Sequence, residues 1–230
     1  MSRPERDPCA APVIAIDGPA AAGKGTLAHR LAEHLGLAYL DTGRIYRAVA
    51  LRLIETGENP ADVEAAERAA RVLEPGDLDD ARLRGEAIGR GASKVAAIPV
   101  VRSALLAFQR RFAAHPPAGA AGAVLDGRDI ATVVCPDATH KFFVTASLEA
   151  RAARRLKELR DAGKNAAPER VLADMVERDR RDAERAHAPL VPDDDAHVLD
   201  TTEMDADAVF AHALAIIEAR ARRNRPIGPL

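Results

Sequence analysis

The chain has 230 residues, of which 47% are hydrophobic and 30% charged, so it has the composition of an ordinary soluble globular protein with room for one domain or two. Its net charge of −2 provides no overall positive field for nucleic acid or anionic lipid, and aromatic residues, at 3%, leave few platforms for stacked bases. Any affinity for phosphate must therefore come from local clusters of arginine and backbone N–H groups.

The N-terminal segment, residues 1–12, is polar and rich in proline, and we expect it to be a disordered tail. It lacks the apolar stretch of a signal peptide, and no apolar run in the chain approaches the ~20 residues of a membrane span. Cys9 and Cys135 are far apart and outside any C-x-x-C motif, which argues against a disulfide framework or a zinc site, and we interpret Cys135 as a small core residue. These features predict a cytoplasmic protein.

Beyond the tail, short apolar runs alternate with segments of helical periodicity. In chain order, the predicted elements are a strand at 13–16, a helix at 27–35, a strand at 38–40, helices at 45–54, 62–73 and 100–112, strands at 123–125 and 141–144, helices at 147–161 and 168–185, a strand at 197–199 and a helix at 205–222. This alternation predicts an α/β fold with a parallel sheet and helices on both faces. Residues 82–98 contain three glycines and have no clear assignment.

The segment GPAAAGKGT lies between the first predicted strand and the first predicted helix. Glycines let backbone N–H groups converge on an anion, and the following helix offers its positive N-terminal end. Lys24 would reach the β- and γ-phosphates of a nucleotide. The segment therefore predicts an ATP-binding P-loop, and the alternative is a glycine-rich turn that only packs the helix on the strand. The predicted ATP-binding residues of the loop are Gly18, Pro19, Ala20, Ala21, Ala22, Gly23, Lys24, Gly25 and Thr26.

One position departs from the general P-loop pattern, which has Ser or Thr directly after the lysine. Gly25 stands there, and Thr26 comes one residue later. A direct hydroxyl ligand to Mg²⁺ is thus missing, so we expect the metal to be held by phosphates, waters and a carboxylate. Asp126, at the end of an apolar strand, could orient Mg²⁺ through water, and a structural turn is an equally open interpretation. The GKGT form is characteristic of nucleoside-monophosphate kinases.

Four further blocks support this interpretation: LDTGRIYR at 40–47, SKVAAIPVVR at 93–102, LDGRDIATVV at 125–134 and ERDRRDAERAHAPL at 177–190. With the P-loop, they resemble bacterial cytidylate kinases from Val13 to about Ile217. The resemblance implies a P-loop kinase domain over 13–230 with a five-stranded parallel sheet. It also implies a monophosphate-binding insertion at about 47–112 and a lid at about 148–187.

The resemblance also implies roles for residues of the acceptor site. Arg47 and Arg128 would clamp the acceptor phosphate, in a pocket lined by Thr42 and Tyr46. Arginine suits this task because its planar fork matches a pair of phosphate oxygens. The residues that would read the cytosine base are Ser93, Arg102 and Asp129.

The lid would carry a second charged group. Asp182 would face the sugar of the acceptor, and Arg178 and Arg185 would face phosphates. Because these arginines are seven residues apart, we expect them to share one helix face with Asp182 between them. A second arginine cluster, Arg151, Arg154 and Arg155, has a solvated helix face as its alternative, and Arg155 is the member assigned to ATP. The predicted catalytic residues are Lys24, Arg128, Arg178 and Arg185.

The implied activity is transfer of the γ-phosphate of ATP to CMP or dCMP, with Mg²⁺ as cofactor. The nucleophile is a phosphate oxygen that is already largely ionised at pH 7, so no catalytic base is required. We expect a monomer, because no apolar stripe is left over after the core is assigned, and we expect neither nucleic acid nor a membrane as partner.

Three alternatives and two departures remain. The alternatives are a P-loop kinase for uridylate, thymidylate or shikimate, a GTP-dependent switch protein, for which an N-K-x-D motif is lacking, and an RNA-binding protein, which the composition disfavours. Residues 60–92 have too few alternating β-branched residues for the small antiparallel sheet of longer relatives, so we expect the acceptor insertion to be mainly helical. Ala131 stands where glycine is common, and the sequence offers no interpretation of that change.

Overall fold

The computed structural model describes residues 11–223, so most of the expected tail, residues 1–10 with Cys9, lies outside the described residues. The carbonyl of Pro12 accepts a hydrogen bond from the N–H of Ala123 at 2.9 Å. Contact with the sheet therefore begins one residue before the first strand, at a position that the sequence assigns to the tail.

A parallel sheet forms the centre of the described chain, and its strands follow the order β2-β3-β1-β4-β5. The strands are β1 (Val13–Asp17), β2 (Ala38–Asp41), β3 (Ala123–Gly127), β4 (His140–Thr145) and β5 (His197–Asp200). Every residue of β1 and β3 is buried, as expected for inner strands covered on both faces. The predicted five-stranded parallel sheet is confirmed.

Helices cover both faces of the sheet, as predicted. They are α1 (Lys24–Leu35), α2 (Thr42–Glu55), α3 (Val63–Arg71), α4 (Glu86–Val95), α5 (Pro99–Ala114), α6 (Leu148–Asp161), α7 (Pro168–Ala183) and α8 (Ala206–Arg223). Alternate residues of β1 divide the core between them. Val13 and Ala15 pack with residues of α2 to α5, and Ile14 and Ile16 pack with residues of α1 and α8. Each face thus has its own apolar core.

The acceptor-side segment is helical in the described chain, which confirms the expectation for residues 60–92. Two 3₁₀ turns, Pro75–Asp79 and Ala81–Arg84, precede α4, the helix that the sequence left unassigned. Its glycines have a packing function. A methyl group on Gly91 would lie 3.1 Å from the Cβ of Ala50, so the missing side chain lets α4 approach α2 closely.

Helices α6 and α7 form a hairpin whose apolar core is small. The hydroxyl of Ser147 accepts from the N–H of Ala150 and caps α6. The buried apolar residues of the hairpin are Leu159, Val171 and Met175. Helix α7 ends at Ala183, so the prediction that Arg185 shares a helix face with Arg178 is wrong.

No single helix of the described residues is both long and apolar enough to cross a membrane. The segments Glu86–Val95 and Pro99–Gly119 are together long and apolar enough for a membrane span, but the two are bent by 102° relative to each other.

Two glycines of the phosphate-binding loop should differ in how much stability their substitution costs. At Gly18, with φ of 145°, an added methyl group would lie 1.9 Å from the carbonyl oxygen of Val144, so Gly18→Ala should lower the free energy of unfolding by about 3 kcal/mol. At Gly23, with φ of 92°, nothing lies within 4 Å, and Gly23→Ala should cost about 1 kcal/mol of backbone strain. Urea denaturation of both variants measures the difference. Equal losses would contradict the proposed close contact.

Candidate active site

The carboxyl ends of the strands open into a cleft of about 670 Å³. Open parallel sheets bind ligands at this edge, because the loops that follow the strands meet there. The phosphate-binding loop after β1, the start of α2 and the residues after β3 form the floor, and α4 and the α6–α7 hairpin form the walls.

The phosphate-binding loop turns through three residues with positive φ: Gly18, Ala21 and Gly23. The turn places Lys24 at the start of α1, where its Nζ donates to the carbonyl of Pro19 at 2.9 Å. Of the nine residues predicted to bind ATP through this loop, three line the cleft: Ala20, Ala21 and Lys24. The other six lie outside its lining: Gly18, Pro19, Ala22, Gly23, Gly25 and Thr26. Ala22 is fully buried in the core, and Thr26 is exposed.

Three of the predicted acceptor residues lie along the start of α2. Thr42 donates its hydroxyl to the carbonyl of Asp126 at 2.8 Å, which joins α2 to β3. Tyr46 is buried and lines the cleft. Arg47 also lines the cleft, but its Nη1 donates to the carbonyl of Leu83 at 2.7 Å, so this guanidinium additionally anchors the turn before α4.

The three residues predicted to read the base meet on one wall, although they come from α4, α5 and the loop after β3. Arg102 forms an ion pair with Asp129, and its guanidinium lies 5.7 Å from the ring centre of Tyr46. The hydroxyl of Ser93 is buried and has no hydrogen-bond partner among the described residues. A ligand or a water in the cleft could supply the missing hydrogen-bond partner of this hydroxyl.

Asp182 connects the hairpin to the sheet. It is 1% exposed, and it accepts a hydrogen bond from Nε of Arg128 at 2.7 Å. Arg185 forms a second ion pair with Asp182, reaching back from beyond the end of α7. Arg178 lines the same part of the cleft. The three residues predicted for the lid group therefore lie together, but Arg185 reaches Asp182 from beyond the end of α7.

The cleft concentrates buried positive charge. Burial lowers the pKa of Lys24, and the charges of Arg128 and Arg178 lower it further. Burial, followed by the charge of Arg128, lowers the pKa of Arg178 to about 9. Burial is the larger cause of both shifts and the charge of Arg128 adds to it, so an anion bound among these cations would favour their charged forms.

Two buried aspartates, Asp17 and Asp126, lie at the carboxyl ends of β1 and β3. Asp17 accepts from the N–H groups of Ile130 and Ala131, both at 2.8 Å, and so fixes a π-helical turn, Ile130–Val134. Position 131 thus contributes a backbone N–H to this bond, which alanine provides as well as glycine. Burial raises the pKa of Asp17 to about 6.

Asp126 lies at the end of β3 and lines the cleft beside Lys24. Its pKa is raised by burial and by the charge of Asp41, whereas Lys24 lowers it. Its carboxylate is the type of oxygen donor that Mg²⁺ takes, with the remaining ligands coming from phosphates and waters. Among the described residues, no group of three or more His, Cys, Asp or Glu side chains could hold a metal ion.

The arginines of α6 are more than a solvated face. Arg151 is buried, forms an ion pair with Asp179 of α7 at 2.7 Å, and donates to the carbonyls of Ala146 and Ala20 at 3.0 and 3.4 Å. It therefore joins both hairpin helices to the phosphate-binding loop. Arg154 donates to the hydroxyl of Thr201 at 2.9 Å. The predicted ATP residue Arg155 lines the cleft and pairs with Glu158 at 3.0 Å.

Several charged residues of the cleft were not predicted. They are Asp41, Glu86, Arg90, Glu158, Lys164, Arg170, Asp174 and Arg181. For two of them the sequence contains a signal: Arg170 and Asp174 precede Arg178 at intervals of four residues, which places all three on one face of α7.

The fold and the cleft together define a P-loop α/β protein that concentrates cations where phosphate groups bind. A sequence model of the family "Cytidylate kinase" matches residues 14–219. A protein named cytidylate kinase from Paramagnetospirillum magneticum is 64% identical over 208 residues, covering 90% of this chain and 98% of the relative. A namesake from Rhodospirillum rubrum is 56% identical over 212 residues, covering 92% and 100%. The chain therefore belongs to the cytidylate kinase family, which confirms the resemblance.

One solved structure shows a likeness of fold alone. A crystal structure of an uncharacterised protein from Eubacterium ventriosum has a TM-score of 0.52 and 14% sequence identity, and the comparison covers 91% of this chain and 99% of that one.

Nucleotide binding should be coupled to protonation of Lys24. Because the pKa of Lys24 is lowered in the free protein and phosphates favour its charged form, binding of metal-free ADP at pH 8 should take up protons. Calorimetry in two buffers with different ionisation enthalpies measures this uptake. Lys24→Met should take up fewer protons than the wild type, and equal uptake by both proteins would contradict the prediction.

Proposed function

We propose that this chain transfers the γ-phosphate of ATP to CMP or dCMP, giving CDP or dCDP and ADP. Membership of the cytidylate kinase family supports the reaction. The assignment of the site rests on the convergence of Lys24, Arg128 and Arg178 in one cleft. The same cleft is lined by Ser93, Arg102 and Asp129, whose polar groups could bond to a base. Phosphoryl transfer depends on positioning and charge neutralisation, and this cleft offers both.

The donor nucleotide would bind at the phosphate-binding loop. Lys24 would neutralise charge between the β- and γ-phosphates, and Arg155 would assist from α6; both residues line the cleft. Mg²⁺, when bound, would neutralise phosphate charge and hold the phosphates in line for transfer. Asp126 would orient the ion through water, because its carboxylate is a buried oxygen donor at the end of β3 beside Lys24.

The acceptor phosphate would bind between Arg47 and Arg128, with Thr42 and Tyr46 in the pocket wall. Support comes from the position of all four residues in the lining of one cleft. The attacking phosphate oxygen needs no base, because a phosphate monoester is largely ionised at neutral pH. Arg178 and Arg185 would stabilise the charge of the transferred group from the hairpin side.

The base and the sugar would be recognised through hydrogen bonds from one hydroxyl and from charged side chains. Cytosine presents an amino donor beside the N3 and O2 acceptors. Asp129, held by Arg102, would accept from the amino group, and Ser93 and Arg102 would donate to the acceptors. The unpartnered hydroxyl of Ser93 supports this arrangement. Asp182, oriented by Arg128 and Arg185, would accept from a sugar hydroxyl.

The organisation of the chain is proposed on the same basis. Residues 13–230 would form one kinase domain with an N-terminal tail, in which 47–112 act as the acceptor-binding insertion and 148–187 as a lid. We propose a cytoplasmic monomer that uses ATP and CMP or dCMP, with neither nucleic acid nor a membrane as partner.

The native protein should use CMP and dCMP well and UMP poorly. Against uracil, Asp129 would face the O4 lone pairs and remain unpaired, and sites built on such hydrogen bonds reject the wrong ligand by up to ~10⁴-fold. Coupled measurement of ADP release with CMP, dCMP, UMP, AMP, dTMP and shikimate gives kcat/KM for each acceptor. Equal use of UMP or AMP would contradict the cytosine assignment and leave the kinase assignment intact.

A substitution tests the same site. Asp129→Asn should lower the ratio of kcat/KM for CMP to kcat/KM for UMP. The change should come mainly from a lower kcat/KM for CMP, because the asparagine amide can rotate to donate to O4 of uracil. Asp137→Asn, at an exposed position later in the same segment of the chain, is the matched control and should leave the ratio unchanged.

The hairpin should change its exposure when both nucleotides bind. With only three buried apolar residues, it is expected to move in the free protein and to close over the reactants, excluding water. Amide hydrogen exchange across residues 150–187 should slow when a bisubstrate ligand is added. Exchange in α8, which lies outside the hairpin, is the internal control and should slow less. Identical protection of the hairpin with and without ligand would show that it is a rigid part of the core.

A further inference from the structure

A phenol and a carboxylate lie beside Gly25, the position at which a general P-loop has its hydroxyl. Tyr39 of β2 donates its hydroxyl to Oδ1 of Asp126 at 3.2 Å. The tyrosine ring is half-buried and makes an edge contact with the ring of His29, with a distance of 5.8 Å between ring centres. The phenol thus occupies one oxygen of Asp126 and leaves Oδ2 for another partner.

The second oxygen of Asp126 faces the phosphate-binding loop. A methyl group on Gly25 would lie 3.6 Å from Oδ2 of Asp126 and 3.7 Å from the hydroxyl oxygen of Tyr39. Both distances are ordinary van der Waals contacts, so the space in front of Gly25 is bounded by these two oxygens. In the general P-loop pattern, the residue at this position carries the hydroxyl that binds Mg²⁺.

The neighbouring carboxylate is directed elsewhere. Asp41 pairs in register with Asp126 across β2 and β3. A methyl group on Gly43 would lie 2.9 Å from Oδ1 of Asp41, so the Asp41 carboxylate is close to the start of its own helix, α2. Of these two carboxylates, only that of Asp126 approaches Gly25 within 4 Å.

We propose that Tyr39 is a positioning residue for the metal: its hydroxyl orients the Asp126 carboxylate toward Gly25, and this pair replaces the missing P-loop hydroxyl. The inference rests on the proposed use of Mg²⁺ with ATP. Partners that orient a metal-binding carboxylate influence metal affinity strongly, because they restrict the carboxylate to one orientation. Tyr39 itself touches neither the nucleotide nor the transferred group in this proposal.

Metal binding to the nucleotide complex tests the proposal without turnover. The affinity of Mn²⁺ for the protein–ADP complex, measured by electron paramagnetic resonance, should be about 10-fold weaker in Tyr39→Phe than in the wild type. Affinity for metal-free ADP and KM for CMP should be unchanged, because only the phenol oxygen is removed. Unchanged Mn²⁺ affinity in Tyr39→Phe would overturn the proposal.

Two further variants separate orientation from packing. His29→Ala removes the ring contact and keeps the phenol, so Mn²⁺ affinity should stay at the wild-type value; a loss equal to that of Tyr39→Phe would assign the effect to packing and overturn the proposal. Gly25→Ser in the Tyr39→Phe background returns a hydroxyl to the loop, and it should restore most of the lost affinity. A double variant that binds Mn²⁺ no better than Tyr39→Phe would show that the pair does not replace the P-loop hydroxyl.

The wild-type protein distinguishes this inference from the proposed function. If the wild type bound neither ADP nor the Mn²⁺–ADP complex, the proposed kinase function would fail. If it bound both and Tyr39→Phe bound them equally well, only the role of Tyr39 would fail.

Discussion

Buried positive charge at the carboxyl edge of the sheet is the constraint on which the rest of the structure depends. Burial lowers the pKa of Lys24 and of Arg178, and the charge of Arg128 lowers both further. Like charges in a region of low dielectric cost free energy unless anions accompany them. Asp182 provides one such anion within the protein. A nucleotide would provide the others, so ligand binding and the stability of this region are linked.

Short backbone-anchored loops hold these charges in place. Arg128 and Asp129 lie between β3 and the π-helical turn that Asp17 fixes through two N–H groups. Lys24 follows a loop whose close approach to β4 requires glycine at position 18. Because the charged groups follow buried strands directly, their positions depend on the register of the sheet and only weakly on the surface of the protein.

The hairpin depends on the same charges. The ion pair of Arg128 with Asp182 joins it to the residues after β3, whereas the pair of Arg151 with Asp179 joins its two helices to each other, and its apolar core is small. An element attached through such an ion pair responds to the arrival of phosphate, because phosphate oxygens compete for the same guanidinium group. Phosphate recognition and the attachment of the hairpin therefore depend on the same guanidinium group.

The sequence by itself determined the elements and the phosphate-binding loop, because apolar periodicity, glycine spacing and the lysine are local properties of the chain. It did not reveal α4, whose glycines are explained only by the close approach of α2. It placed Arg185 on a helix that ends before it, and it left open whether Arg151 was a surface residue. Partners such as Tyr39 with Asp126, or Arg102 with Asp129, lie 87 and 27 residues apart. Only the tertiary structure decided these pairings, because the register of the strands and the packing of helices bring distant side chains within hydrogen-bonding distance, and local sequence carries no record of that distance.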